Sequence, residues 1–255
     1  MKTKSKSNII WKILAAVAAF IIIGFVLLIY NAFNGNFISG MYYRYKVDRY
    51  IAETYPEKNY RVSDYSYDFK IGNYMFRITD PDSPDGCFDA YYSDYEGKVI
   101  DTYENDVVNL NNTLMRLEKE LRNEVDPLID KRFENDGDGT QEFGFATCVF
   151  GDYPADYYQG KLYPDMQADV KNLPIPTQVV LCFKTDEAGS FRRARELAEE
   201  LKTLGYRIDY YEISTSGKPY EMIPADRLLS AGSVDELEEY VMKDYDQPKD
   251  KFLIK

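Results

Sequence analysis

One stretch limits the chain more than any other. In "WKILAAVAAFIIIGFVLLIY" no residue from 13 to 29 is more polar than Gly24. With Tyr30 the run reaches about 27 Å as a helix, close to the ~30 Å hydrocarbon core of a bilayer. A core helix of a soluble domain seldom stays apolar on every side for so long. A cleaved signal peptide is the stronger rival. Its apolar region covers only ~7 to 15 residues, however, and "YNAFNGNFISG" offers no small-x-small cleavage site. No cysteine stands there for lipid attachment. The expectation is one uncleaved transmembrane helix over residues 13–33. Trp11 and Tyr30 flank it where amphipathic rings favour the headgroup layer. Lys2, Lys4, Lys6 and Lys12 precede it, and no basic residue follows before Arg44, so the tail 1–12 is expected in the cytoplasm of a single-pass cell-membrane protein.

Everything beyond is then extracytoplasmic, roughly 225 residues, enough for one large or two small domains. Four of the 31 basic residues precede the anchor, which leaves 27 against 43 acidic ones, a balance of −16. Such a surface repels nucleic acid and anionic headgroups and attracts cationic partners or metal ions, although acidity also serves plain solubility. The 24 tyrosines suit small two-layer domains in which a ring is half buried while its hydroxyl stays wet. Cys87, Cys148 and Cys182 are too few and too scattered for a disulfide framework or a zinc site. They read as small hydrophobes, with a single Cys148–Cys182 bridge left open because both fall in strands of one region.

Residues 38–55 carry a helical pattern, with Tyr43, Val47, Ile51 and Tyr55 four apart and Pro56 closing it. Three strands follow. "YRVSDYSYDF" aligns Tyr65, Tyr67 and Phe69; "NYMFRIT" aligns Tyr74, Phe76 and Ile78; "CFDAYY" aligns Phe88, Ala90 and Tyr92; and "VIDTY" is able to continue the sheet. The connector "DPDSPDG" reads as a turn, since its prolines cannot donate to a ladder and Asp and Gly stabilise turns. From Val107 the period changes: Leu110, Leu114, Leu117, Leu121, Val125 and Leu128 mark a long amphipathic helix that Pro127 should end or kink. A strand "QEFGFATCVF", an irregular stretch over 151–176, a strand "QVVLCFK", a helix capped by Ser190, a strand "YRIDYYEI" and a last helix opened by the capping box Ser233–Glu236 complete the chain. The fold class is α+β, in two small modules with antiparallel or mixed sheets, 34–104 and 105–255.

"NGNFISGMYYRYKVDRYIAETYPEKNYRVSDYSYDFKIGNYMFRI", followed by "DSPDGCF" and "GKVID", resembles the YfjL-like family of small membrane-anchored bacterial proteins over residues 34–104. Phe37 stands where the family's start carries a proline. The resemblance implies the anchor, the helix and the strands around an "SPD" loop, and it implies no activity. The helix and three-strand order is also similar to PepSY and cystatin-like modules, an analogy that suggests binding or peptidase regulation.

The chain has no histidine, which removes Ser-His-Asp triads, Cys-His pairs and HExxH zinc sites. "STSGK" at 214–218 lacks the first glycine of a phosphate loop and reads as a turn. Asp80, Asp82 and Asp85 leave carboxylate chemistry formally open, since glycoside hydrolysis needs only two carboxyl groups about 5 to 9 Å apart. Glu134, Asp136 and Asp138 imitate the first half of an EF-hand loop, but Phe145 holds the position of the bidentate glutamate. No cofactor and no dedicated metal site is expected, at most a weak cation site. In "GDYPADYYQGKLYPDMQADVKNLPIP", Tyr153, Tyr157, Tyr158 and Tyr163 are interface-type side chains among prolines, so this is the candidate binding stretch. The competing reading is that they cover a satellite core. The expected function is a non-enzymatic binding or regulatory module with a protein or peptide partner. The alternative is a carboxylate-based hydrolase acting on cell-wall glycans.

Overall fold

The apolar run is helical from end to end. In the structure, a computed structural model that describes residues 4–134, 143–150, 155–183, 187–215, 218–233 and 236, α1 (Lys4–Asn34) has 31 residues. Its large apolar side chains from Ile9 to Phe33 are all between 45 % and 75 % exposed. A helix of this length and hydropathy with none of its apolar stretch buried against protein is suited to crossing a membrane, and it is no core helix. The chain divides between Val108 and Asn109 into two units.

α1 ends at Gly35, whose φ of +74° is a left-handed conformation that glycine adopts without strain. A Cβ there would also lie 2.8 Å from Tyr67 Cγ and from Tyr74 Cε1. Asn36 then caps α2 (Phe37–Thr54), its Oδ1 accepting from the amides of Ile38 at 2.8 Å and Ser39 at 3.4 Å. The Tyr74 hydroxyl accepts from the Asn36 amide and donates to the Asn36 carbonyl. The joint is thereby fastened to the sheet.

That sheet is an antiparallel meander, β1 (Arg61–Asp68), β2 (Asn73–Asp80), β3 (Ser83–Ser93) and β4 (Lys98–Asp101), in the order β1-β2-β3-β4. One face takes Val47 and Ile51 of α2 against Tyr74, Phe76, Ile78, Phe88 and Ala90, in agreement with the spacing of four on the helix and two on the strands. Two details differ from the sequence expectation. The module has four strands rather than three, because the continuation that "VIDTY" left open is taken up by the short β4. Phe69 lies past the end of β1 in an exposed turn. Gly40 is buried where Tyr65 crosses α2, and a Cβ would stand 2.2 Å from Tyr65 Cε1.

The expected connector "DPDSPDG" is shorter than its sequence suggests, since only Pro81 and Asp82 form the turn and Ser83 to Gly86 already belong to β3. Asp80 pairs with Ser83 across a two-residue connection. The Asp80 Oδ1 accepts from the Asp82 amide at 3.0 Å while Oδ2 lies 3.6 Å from Lys58 Nζ. Asp85 is 2 % exposed, and at Gly86 a Cβ would come within 2.8 Å of Ser83 Oγ. The carboxylates that left hydrolase chemistry open are thus two nearly buried strand residues, Asp80 at the end of β2 and Asp85 in β3, and one exposed turn residue, Asp82.

The second unit opens with α3 (Asn111–Glu134), which continues through Pro127 instead of ending there. An interior proline costs about 3 kcal/mol. Beyond it Ile129 is fully buried and Phe133 nearly so, each contributing about 1.5–3 kcal/mol, so packing outweighs the missing bond. The strands β5 (Phe143–Phe150) and β6 (Thr177–Phe183) follow, separated by the one-turn α4 (Ala155–Tyr158) and a 3₁₀ turn (Val170–Asn172). α5 (Glu187–Thr203), β7 (Tyr210–Thr215), β8 (Lys218–Pro224) and α6 (Ala225–Ser230) complete it. The sheet order is β5-β6-β7-β8, with β6 and β7 parallel across α5 and the outer pairs antiparallel. Leu117, Leu121, Val125 and Ile129 of α3 and Ala194, Leu197 and Leu201 of α5 share one core with Val179, Leu181 and Ile213. The antiparallel first sheet and mixed second sheet make the fold α+β.

Ser190 is buried inside α5 rather than capping it, because Glu187 to Gly189 join the helix ahead of it. β8 and α6 lie beyond the expected elements. Thr215 pairs with Lys218, so the two ends of "STSGK" lie opposite each other in the antiparallel β7–β8 pair, while residues 216 and 217 lie outside the described residues. The Ser233 Oγ accepts from the Glu236 amide at 3.3 Å, as in a capping box. The register sets Cys148 opposite Val179 and Cys182 opposite Phe145. Three residues along a ladder amount to about 10 Å, beyond the ~7 Å reach of a disulfide, and Cys182 is a thiol. The bridge is not formed.

The tyrosines build the first unit. Tyr43, Tyr65 and Tyr67 pack their rings around Tyr74 at 4.8 to 5.1 Å between centroids, and Tyr55 meets Phe88 and Tyr103 at 5.6 and 4.7 Å. Hydroxyls at the margins donate to carboxylates, Tyr43 to Asp94 and both Tyr50 and Tyr55 to Asp101. The hydrogen bond to Asp94 and then burial push Tyr43 up from 10.0 to about 12. Burial leads for Tyr50, Tyr55 and Tyr60, which also rise, assisted by Asp101 for the first two. The fold holds the neutral rings, so the unfolded chain loses protons first. Stability should be full below the ordinary tyrosine value of 10.0 and fall as pH climbs toward about 12. Denaturant melts followed by circular dichroism across that interval, with phenolate absorbance read in parallel, check this, and a flat profile would contradict it.

Candidate functional site

The tyrosine-rich stretch does not form one open surface. Tyr153 lies outside the described residues. Tyr158 is 4 % exposed and belongs to the core with Leu162, Met166, Leu173 and Ile175. Tyr157 is half-buried, edge-on to Tyr158 at 5.5 Å, with Lys161 Nζ over its face. Tyr163 is 62 % exposed. The structure therefore brings Tyr157 and Tyr158 together and sends Tyr163 to solvent.

The stretch is also tied down at intervals. Arg116 Nη2 donates to the Met166 carbonyl at 3.0 Å, the Arg207 amide donates to the Lys171 carbonyl at 2.8 Å, and Lys171 Nζ donates to the Leu204 carbonyl at 3.1 Å. Asp169 caps the 3₁₀ turn. Its carboxyl titrates below the usual value because the Asn172 side chain and the Lys171 amide donate to it. From residue 155 onward this is a strap that covers the edge of the core. The acidic turn with Asp136 and Asp138 lies outside the described residues. Among the described residues no group of three or more Cys, Asp or Glu is placed to hold a metal ion.

A concave site does exist at the far end of α3. A cleft of about 520 Å³ lies between α3 and α5, lined by Leu128, Lys131, Arg132 and Phe133 from one helix and by Arg192, Arg193, Glu196 and Glu200 from the other. Arg132 spans it, with Nη2 at 2.6 Å from Glu196 Oε2 and Nη1 at 2.9 Å from Glu200 Oε2. Burial acts to lower this guanidinium and the two carboxylates more than offset it, so Arg132 stays firmly charged. Four cations thus face two carboxylates, and one of the four holds both. The local sign is positive in a chain whose formal balance is −12. The doublets Lys131-Arg132 and Arg192-Arg193 are the only trace of this in the sequence, and nothing local shows that they converge.

An apolar helix long enough to cross a membrane is joined through Gly35 to one helix and a four-stranded meander, and together they form an α+β module. Residues 10–107 match the family model of the YfjL-like N-terminal domain, so the first unit is similar to that domain over nearly its whole length. No curated protein and no solved structure matches the chain, so the PepSY and cystatin comparison remains an analogy of element order.

The burial of the tyrosines separates their roles. Truncating Tyr158 to Ala should cost about 3 kcal/mol or more, as for a buried ring, whereas Tyr163→Ala should stay within about 0.5 kcal/mol, as for an exposed one. Urea unfolding of both variants against the parent chain measures the difference.

Proposed function

We propose that the protein is a single-pass membrane protein with residues 1–12 in the cytoplasm and modules 34–104 and 105–255 outside it, acting by binding rather than by catalysis. Its ligand is an acidic segment of a protein or peptide partner, held in the cleft between α3 and α5. The observation that carries this is the convergence of Lys131, Arg132, Arg192 and Arg193 on one concave site in an otherwise acidic chain. Guanidinium groups match carboxylates in geometry as well as charge. Leu128 and Phe133 give the floor an apolar component for the stem of a bound side chain. Tyr163, the open ring of the tyrosine stretch, is a second contact position, and the half-buried Tyr157 a third.

Two measurements test this reading. Arg192 is exposed, so Arg192→Glu should leave the fold intact while weakening a labelled polyglutamate peptide roughly tenfold. Added salt should weaken the parent in the same direction by screening. Anisotropy titration reads both, and an unchanged dissociation constant would remove the cleft from the proposal. For topology, protease shaving of intact cells should digest residues beyond 34. An ectodomain that survives shaving and is cut only after lysis would reverse the orientation.

A further inference from the structure

The first unit has one end that water does not suit. In α2, Tyr43, Val47 and Ile51 face the sheet, while the opposite side of its first two turns carries Phe37, Ile38, Met41, Tyr42 and Tyr45, all between 52 % and 75 % exposed. Farther along the same helix the outer positions become Asp48, Arg49 and Glu53, with Arg49 paired to Glu53 at 2.7 Å. An exposed helix face of a soluble domain is polar along its whole length. Here the polarity changes with distance from α1.

The sheet repeats the asymmetry. In a meander the β1–β2 and β3–β4 turns lie at one end and the β2–β3 turn at the other. The first end holds Phe69 at 53 %, Ile71 at 64 % and Tyr95 at 99 % exposure. The acids there are engaged: Asp94 accepts from Tyr43, and Glu96 pairs with Lys98 at 2.9 Å. The other end holds Asp80, Asp82 and Asp85. The apolar end is the one beside α1, because the Phe69 ring meets Phe33 of α1 at 5.3 Å.

Depth follows from the helix. If the hydrocarbon core ends near Tyr30, Phe33 stands about 4.5 Å farther out, inside a headgroup layer of roughly 5 to 7 Å. Phe69 touches Phe33 and so reaches the same layer. Gly35 and the Tyr74–Asn36 hydrogen bonds fix the joint, so the sheet is held against α1 and does not hang from a loose stalk.

We infer that the first unit docks on the bilayer its own anchor spans, with Phe69, Ile71, Tyr95 and the apolar face at the start of α2 lying in the headgroup and upper acyl region. The occupant of this surface is lipid, taken up by apolar burial and not by charge, and Lys70 between Phe69 and Ile71 has the stem length to reach a phosphate. The inference rests on α1 being membrane-spanning and holds for either orientation.

The test uses the full chain in phosphatidylcholine vesicles, with Trp11→Phe removing the single native tryptophan. Reporters are introduced one at a time as Ile71→Trp, Tyr95→Trp and, at the opposite end of the sheet, Asp82→Trp. All three positions are exposed, so folding does not depend on them. The first two should emit to the blue of Asp82→Trp and lose intensity when the lipids are brominated at upper acyl carbons, whereas Asp82→Trp should do neither. Water-like emission from both Ile71→Trp and Tyr95→Trp would overturn the inference. So would a blue shift without loss to brominated lipid, which would mean that protein covers the surface. Retention on the vesicles after an alkaline wash is read on the same samples. A chain that stays bound with reporters in water overturns the docking alone, and a chain that washes off overturns the anchor and the docking together.

Discussion

Tyr74 exchanges two hydrogen bonds with the backbone of Asn36, and the rest of the first unit depends on that contact. A helix exposed on all sides in its apolar stretch has to hand over, within two residues, to a helix with one buried face. The handover requires a residue that adopts positive φ, a side chain that caps the next helix, and a partner that ties the exposed peptide to the sheet. Gly35, Asn36 and Tyr74 supply these in turn. A side chain at residue 35 would fail twice, by its backbone conformation and by collision with the Tyr67 and Tyr74 rings.

The same ring serves the packing. Tyr74 is 7 % exposed and is the centre of the Tyr43, Tyr65 and Tyr67 group, where each favourable ring pair is worth about 0.5–1.5 kcal/mol beyond its buried area. Phenylalanine would pack as well but would leave the Asn36 amide unpaired at the joint, the Asp94 carboxylate without the Tyr43 hydroxyl, and Oδ2 of Asp101 without the Tyr50 and Tyr55 hydroxyls. A two-layer unit with one helix over four strands has few positions that are wholly buried. Tyrosine suits the half-buried ones because its ring packs and its hydroxyl reaches the margin. The abundance of tyrosine is thus a consequence of thin architecture.

How far the sequence could be read follows from the range of each signal. The anchor, α2 and the buried faces of β2 and β3 depend on periodicity within one element, and Val47, Ile51, Phe76, Ile78 and Phe88 stand where their spacing puts them. Pro127 allowed an end or a kink by local rules, and α3 does not end there because burial of Ile129 and Phe133, a tertiary effect, outweighs a local penalty. Tyr157 and Tyr158 are adjacent in "DYYQ" with no difference in local pattern, yet the strap turns one ring into the core and leaves the other at its edge. The cleft was the least legible feature, since Arg132 meets Glu196 and Glu200 only after two helices pack side by side.

Charge placement gives the second unit a logic that net charge hides. A balance of −16 beyond the anchor repels an acidic ligand at long range, but screening over about 8 Å at physiological salt confines that repulsion near the surface. Inside the cleft the nearest groups decide. Arg132 spans the two helices to pair with both Glu196 and Glu200, and so offsets one of the two negative charges that oppose an anion there. The lining as a whole carries Lys131, Arg132, Arg192 and Arg193 against those two carboxylates, so its formal sum is positive. An acidic segment entering there exchanges a weak, screened repulsion for short-range pairing in a partly desolvated cleft, where the effective dielectric is lower and each pairing is stronger. On the proposed reading, the acidic exterior would discourage binding elsewhere on the chain, so the same charge balance that opposes approach would also direct an acidic partner to one place.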